Sequence, residues 1–470
     1  MLIHRKTARW LVLLCAMSTH LGASAATPMS FHHLTIDNGL SQNDVMATFQ
    51  DAQGFMWFAT EDGLDRYDGY TLRHFAHPRD DSPGLAGNWI WSIREDRRGD
   101  LWFAVKNGGV ARFNPQTETF TNYRHDPNDA TTISSDAARD LLIDRSEQIW
   151  VATTGGGLSV LDPVSGRARR FVHDAARADS LAGDTVFALT EDHEGRVWVG
   201  TDRGLDLWMP QKNGFKHFTH IEGDRSSLAS RRVSELYVDR SGTLWVGMFD
   251  GGLSRFDGEA LGFTSFGADL NNPRSLSNTE VRAILEDSDG RLWIGTPTGL
   301  NLLDRLHGTF TRYVHDATDP NSLIDDYIMS LYQDRGGQLW VGTRGGGVSR
   351  WNPRSWLFGF VRPAWSSTAY AIGFADDLQD RLWIGTQGAG LFRFDPRSGE
   401  LISADSVFGI KNLLPDPRVM TLLRASSGDL WAGTFGAGLI RIAPGGTTSR
   451  FRAGKSSPLD TRVIGSDAVS

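Results

Sequence analysis

Short apolar segments of four to six residues alternate with tight polar turns along almost the whole chain. One stretch shows the pattern. Val186–Thr190 is apolar, Asp192-His193-Glu194-Gly195 is turn-like, and Val197–Thr201 is apolar again. A turn at Arg203-Gly204 leads into Leu205–Trp208, and Phe215–Phe218 supplies a fourth segment. The D-x-x-G step suits a tight hairpin, because Asp can bond its own backbone and Gly accepts positive φ. Each unit is therefore expected to form four strands of one antiparallel sheet.

The unit recurs: DHEGRVWVG at 192–200, DRSGTLWVG at 239–247, DSDGRLWIG at 287–295 and DRGGQLWVG at 334–342. Its anchors are Trp57, Trp102, Trp150, Trp198, Trp245, Trp293, Trp340, Trp383 and Trp431, spaced 43 to 48 residues apart. A small sheet cannot bury both its apolar faces alone, so the copies must stack, and this period matches a β-propeller blade. All nine tryptophans are expected to be core, packed between blades.

Phe31–Leu34 and Asn38–Ser41 align with Phe120–Tyr123 and Thr132–Ser134, so the chain opens on a fourth strand with no first three before it. The aromatic strand and long polar loop that end the earlier copies fail once, after the seventh. The expected fold is all-β: a seven-bladed β-propeller of four-stranded antiparallel blades, residues 27–353, closed by strand 31–36. Such closure hides two sheet edges that would otherwise pair with other chains. Residues 354–470 are expected to hold two blades of an incomplete second propeller and the start of a tenth repeat at 457–463.

Residues 1–26 read as an export signal: Arg5, Lys6 and Arg9, an apolar run from Trp10 to Met17, then Ala23-Ser24-Ala25. Cys15 lies in that run, so the mature chain has no cysteine, which excludes thiolate chemistry and Cys-based metal sites. Losing three cations takes the formal net charge from −8 to −11, which disfavours a nucleic-acid partner. No other apolar segment is long enough to span a membrane. A periplasmic location is expected.

Catalytic constellations are not evident in the sequence, and no catalytic residue, cofactor or metal is assigned. Gly155-Gly156-Gly157, Gly251-Gly252 and Gly345-Gly346-Gly347 lack the Lys-Ser/Thr of a nucleotide loop and read as turns. The His-Asp pairs at 125–126, 173–174 and 315–316 recur at one loop position and read as local backbone caps. Binding is sought where copies differ. The residue before each first strand is Asp44, Trp89, Ala137, Thr185, Arg232, Glu280 or Tyr327, and two positions on stand Met46, Trp91, Arg139, Phe187, Ser234, Arg282 and Met329. Trp89, Trp91, Arg139, Arg231, Arg232, Arg282 and Tyr327 are the candidate ligand-binding residues, since aromatics stack and Arg bonds oxyanions.

The unit D-x-x-G-x-L-W-V/I-G-T-x-x-G-L-x-R-F/Y-D, with the opening Phe31-His32-His33-Leu34-Thr35-Ile36-Asp37-Asn38-Gly39-Leu40-Ser41, resembles the two-component regulator propeller repeat. Glu147 and Asp380 replace the turn Gly, and Ala425 replaces the Asp. The resemblance implies the periplasmic sensor region of a signal-transduction receptor. In that family two seven-bladed propellers precede an immunoglobulin-like domain, a membrane helix and a histidine kinase or diguanylate cyclase. It implies a small-molecule or oligosaccharide ligand at the channel mouth, phosphorelay signalling in a longer parent, and homodimerisation there. The chain itself is expected to be a truncated, non-enzymatic part of such a receptor. The alternatives are an exported propeller enzyme similar to streptogramin lyases and a stand-alone periplasmic binding protein.

Overall fold

Each D-x-x-G step closes its hairpin through one carboxylate with two jobs. In the computed structural model, Asp287 Oδ1 accepts the backbone N–H groups of Asp289 and Arg291, each at 3.0 Å. Its Oδ2 accepts the indole N–H of Trp293 at 2.7 Å. The same Asp-to-Trp bond recurs in all seven copies from Asp51–Trp57 to Asp334–Trp340, at 2.7–2.9 Å. The motif therefore couples a turn to a buried ring. Positive φ is required after the Asp: Gly290 has φ 79°, and Glu147, which replaces the Gly, keeps φ 61°.

The structure describes residues 29–78, 84–258, 261–353, 370–377, 381–395, 400–453 and 463–464. The expected leader at 1–26, Asp380 and most of the expected tenth copy lie outside them. Contacts divide the chain into two compact units, one within Pro28–Ser355 and one within Trp356–Ser470.

Blade 1 of the first unit runs Val45–Gln50, Met56–Thr60, Gly63–Tyr67 and Leu72–Phe75, each strand antiparallel to the next. Blades 2 to 6 repeat this order at 90–123, 138–171, 186–218, 233–266 and 283–313. Blade 7 takes three strands from 328–351, and its fourth is Phe31–Leu34, paired to Val348–Trp351. The expected strand over 31–36 stops at Leu34 because Thr35 caps a short 3-10 turn, Ile36–Asn38. Its Oγ1 accepts the Asp37 N–H while its own N–H donates to the Asn38 side chain.

The second strand is fully buried in each of these blades. Each repeat Trp is at most 2% exposed and lies in a cluster shared with the next blade. Trp57 packs with Leu101, Phe103 and Phe113, and so on round to Trp293 with Leu339 and Val341. Trp340 packs with Val45, Met56 and Phe58 of blade 1, which completes the ring. The Gly of Trp-Val-Gly allows this approach: a Cβ on Gly200 would lie 2.5 Å from Cγ1 of Val233, on the next blade.

The second unit holds two more blades, at 371–403 and 419–453, the latter with Val463–Ile464 added parallel to its outer strand. Trp383 is buried in their shared core with Val419, Leu422 and Leu430. Trp431 departs from expectation. It is only partly buried, leaning on Phe451 at 5.5 Å, because no further described blade covers it and Ala425 offers its indole no carboxylate. No helix of the described residues is long and apolar enough to cross a membrane.

Candidate functional site

The first strands of successive blades touch one another round the inside of the ring, so their starts surround its centre at one end, the mouth, and six of the seven carry an irregularity near that start. The register slips between Val45 and Ala47, Ile90 and Ser92, Ala138 and Asp140, Val186 and Ala188, Val233 and Glu235, and Ile328 and Ser330. The residue skipped is Met46, Trp91, Arg139, Phe187, Ser234 or Met329. A bulge takes one side chain out of the in–out alternation and re-aims it. That is why this column is free to vary: it is not obliged to pack within its own sheet. In blade 6 pairing starts at Ala283, so Arg282 stands just ahead of the ladder.

A second loop joins the same face. In five of the seven blades the residue after the second strand donates its N–H to the carbonyl of the residue before the first strand, while Pro297 in blade 6 has no N–H to give. Lys106 bonds Trp89, Phe249 bonds Arg232 and Arg344 bonds Tyr327, at 2.8, 3.0 and 2.9 Å. Glycine is needed to turn back from this loop. Gly157 has φ 77°, and a Cβ there would lie 2.3 Å from the Phe171 carbonyl oxygen. The Gly clusters of the sequence are these turns.

These two loops gather aromatic rings and cations in pairs. The Trp89 and Trp91 rings lie 5.4 Å apart. Lys106 Nζ sits 3.4 Å from the centre of the Trp89 ring, and the Arg139 guanidinium 3.7 Å from that of Trp91. Further round, Phe249 meets Phe187 at 4.8 Å and carries Arg232 and Arg282 at 4.8 and 5.2 Å. Arg282 also donates to the Tyr327 hydroxyl at 3.0 Å and pairs with Glu280, while Arg344 lies 5.3 Å from the Tyr327 ring. Trp89, Trp91 and Arg139 thus form one group and Arg232, Arg282 and Tyr327 another. Arg231 is exposed and joins neither through a described contact.

The electrostatics link the groups. Burial lowers the Arg139 guanidinium to about 10, and the Arg282 charge adds to this, while Asp140 and Glu235 oppose it. Burial pushes the Glu235 carboxyl up to about 8 and Asp140 raises it further, against Arg94 and Arg139. Glu61 is also raised, by burial and Asp44, with Lys106 and Arg344 opposing. Two donors here, Trp89 Nε1 and Arg282 Nε, are buried without a hydrogen-bond partner.

Sequence reading missed Lys106, Phe249, Arg344 and Glu61. They share one column, directly after the second strand of the blade, and its variation from copy to copy would have revealed it. The His-Asp pairs are local caps: His125 Nδ1 lies 2.8 Å from the Ile133 carbonyl and its backbone N–H donates to Asp136 at 2.7 Å. A cleft of about 390 Å³ between blades 2 and 3, lined by Asp96, Arg112, Glu147 and Val164, lies at the D-x-x-G turns, away from these loops.

The family model described as "Two component regulator propeller" matches residues 39–62, 84–107, 180–203, 275–298 and 322–345. No curated protein matches the sequence. Among solved structures, one described as the extracellular domain of the hybrid two component system BT3049 from B. thetaiotaomicron is 25% identical, with a TM-score of 0.66. The match covers 91% of this chain and 55% of that one. The extracellular domain of BT4673 from the same organism is 20% identical over 90% of this chain and 54% of its own, at 0.56. The chain thus spans about half the length of these relatives. A streptogramin B lyase, 13% identical over 69% of this chain and 98% of its own at 0.51, shares the fold alone. The chain thus carries five matched copies of the two-component regulator propeller repeat, set in a ring of four-stranded blades like those of the extracellular domain of BT3049.

Proposed function

We propose that the chain is the ligand-sensing propeller region of a two-component-type receptor, exported to the periplasm by residues 1–26. In this reading the ring at 27–353 binds a carbohydrate-like or anionic small molecule at its mouth, and 354–470 begins a second propeller. The observation that carries it is the aromatic and cationic lining of the mouth, drawn from the two loop columns that differ between copies. Structural columns of a repeat stay constant because each copy solves the same packing problem, whereas a binding surface is released from that constraint. The extracellular, two-component character of the solved structure that is 25% identical supports the sensory role.

The chain contributes recognition only, and signalling belongs to a longer parent with a histidine kinase or diguanylate cyclase, acting as a homodimer. Fractionation of native cells, with an antibody against residues 31–353, tests this. The expected result is a band well above 51.9 kDa in the inner membrane. A band at or just below that mass in the soluble periplasm would replace the receptor with a stand-alone binding protein. Turnover lost on adding EDTA would replace both with an enzyme.

A further inference from the structure

The following rests on the mouth being the binding site. Its lining pairs four of its aromatic rings with cations: Lys106 on Trp89, Arg139 on Trp91, Arg232 and Arg282 on Phe249, Arg344 on Tyr327. One face of each indole is therefore occupied by a positive group, so the rings position charge rather than lie open for a sugar ring to stack on. Three donors here also lack acceptors. Arg139 has no hydrogen-bond or ion-pair partner among the described residues, although its guanidinium is held flat on Trp91. Arg282 uses Nη2 on Tyr327 and Glu280, which leaves its buried Nε–H unanswered, and the Trp89 indole N–H is equally buried and unanswered. Buried donors normally find an acceptor, and a planar guanidinium fork fits a carboxylate or sulfate better than a hydroxyl.

We propose that the mouth is an oxyanion site, in which Arg139 and Arg282, assisted by the Trp89 N–H, hold the carboxylate or sulfate group of a small anionic ligand. Asp140, next to Arg139 in the chain, is already engaged by Arg94 at 3.1 Å, Ser92 at 2.8 Å and the Leu189 N–H at 2.9 Å.

The test follows indole ¹⁵N–H resonances of the full chain labelled at tryptophan, with Trp89 identified by Trp89→Phe. The probes are sodium glucuronate, sodium sulfate and glucose at constant ionic strength. Glucuronate or sulfate should shift the Trp89 resonance to saturation, and glucose should not. If only glucuronate does so the ligand carries a carboxylate, if only sulfate a sulfate group, and either supports the site. Arg139→Gln and Arg282→Gln should each weaken binding by about tenfold. The Asp-bonded indole resonances of the ring report whether the variants are folded. Glucose binding as tightly as glucuronate would overturn the oxyanion assignment and leave the mouth as a ligand site. Trp89 unmoved by every probe at about 10 mM overturns the assignment. If glucose then shifts only indoles outside the mouth, the mouth reading fails as well.

Discussion

Asp287 offers a way to weigh the two jobs of the motif carboxylate separately. It is 1% exposed, and its two oxygens serve different partners: Oδ1 holds the turn, Oδ2 the Trp293 indole N–H and the Arg291 guanidinium. In Asp287→Asn the amide oxygen can keep the two backbone N–H groups, but the NH₂ then faces the indole donor. A buried donor left unanswered costs about 1–3 kcal/mol, and the partly exposed arginine pair adds about 0–1 kcal/mol. About 2 kcal/mol is expected. Asp287→Ala loses the turn bonds too, each worth about 1 kcal/mol net, for a total of about 4 kcal/mol. Urea unfolding at unchanged m-value measures both. The deciding experiment is a double-mutant cycle with Trp293→Phe, which removes the stranded donor. The coupling between Asp287→Asn and Trp293→Phe should be about 1–2 kcal/mol. Coupling indistinguishable from zero refutes the indole bond as a contributor. Equal losses for Asn and Ala refute the division of labour between the oxygens.

Three further outcomes follow from the same structure. Phe31→Ala should cost about 3–5 kcal/mol, because Phe31 is 2% exposed among Trp293, Leu339 and Val341, and calorimetry of the parent and variant would show it as a lowered melting transition. Gly157→Ala should destabilise the ring by more than the roughly 1 kcal/mol of left-handed strain alone, because its Cβ meets a backbone carbonyl; denaturant midpoints check this. The pair His217–Asp206, 2.6 Å apart, should make stability fall as pH rises. The bond to Asp206 raises His217, and burial raises Asp206, so both hold protons more tightly when folded. Their contribution is full at low pH and is lost as pH rises through the folded values. Between pH 5 and 9 the parent should lose stability relative to Asp206→Asn, and parallel curves would count against the pair.

Much of the fold was legible because a repeat states each physical requirement several times. The Trp spacing, the D-x-x-G turn and the orphan strand at Phe31 each followed from patterns local to a few residues. What the pattern could not show was that the Asp also reaches the indole six residues on, since that depends on how the hairpin folds back. The candidate site was half legible. Trp91 and Arg139 stood out because their column breaks the repeat, but nothing in the sequence marks that column as a bulge. Lys106 and Arg344 were hidden by lying in a turn where any polar residue is unremarkable, and their value comes from contact with Trp89 and Tyr327 of a different loop. Trp431 shows the limit of arguing from a motif, because burial of one blade depends on the blade beside it.

The pairing of His33 with Ser349 joins positions 316 residues apart. Each blade is made of neighbouring hairpins and can form from its own stretch of chain, whereas the clasp waits for the last blade. Local steps of this kind are fast, and bringing distant segments together is slow. Residues 31–34 precede every other strand of the ring in the chain and find their place last, and until then blade 7 carries an open edge. The time a newly made chain spends exposed to aggregation is thus set by four residues, and a variant that weakens the clasp would lengthen that interval even where the finished ring is little changed.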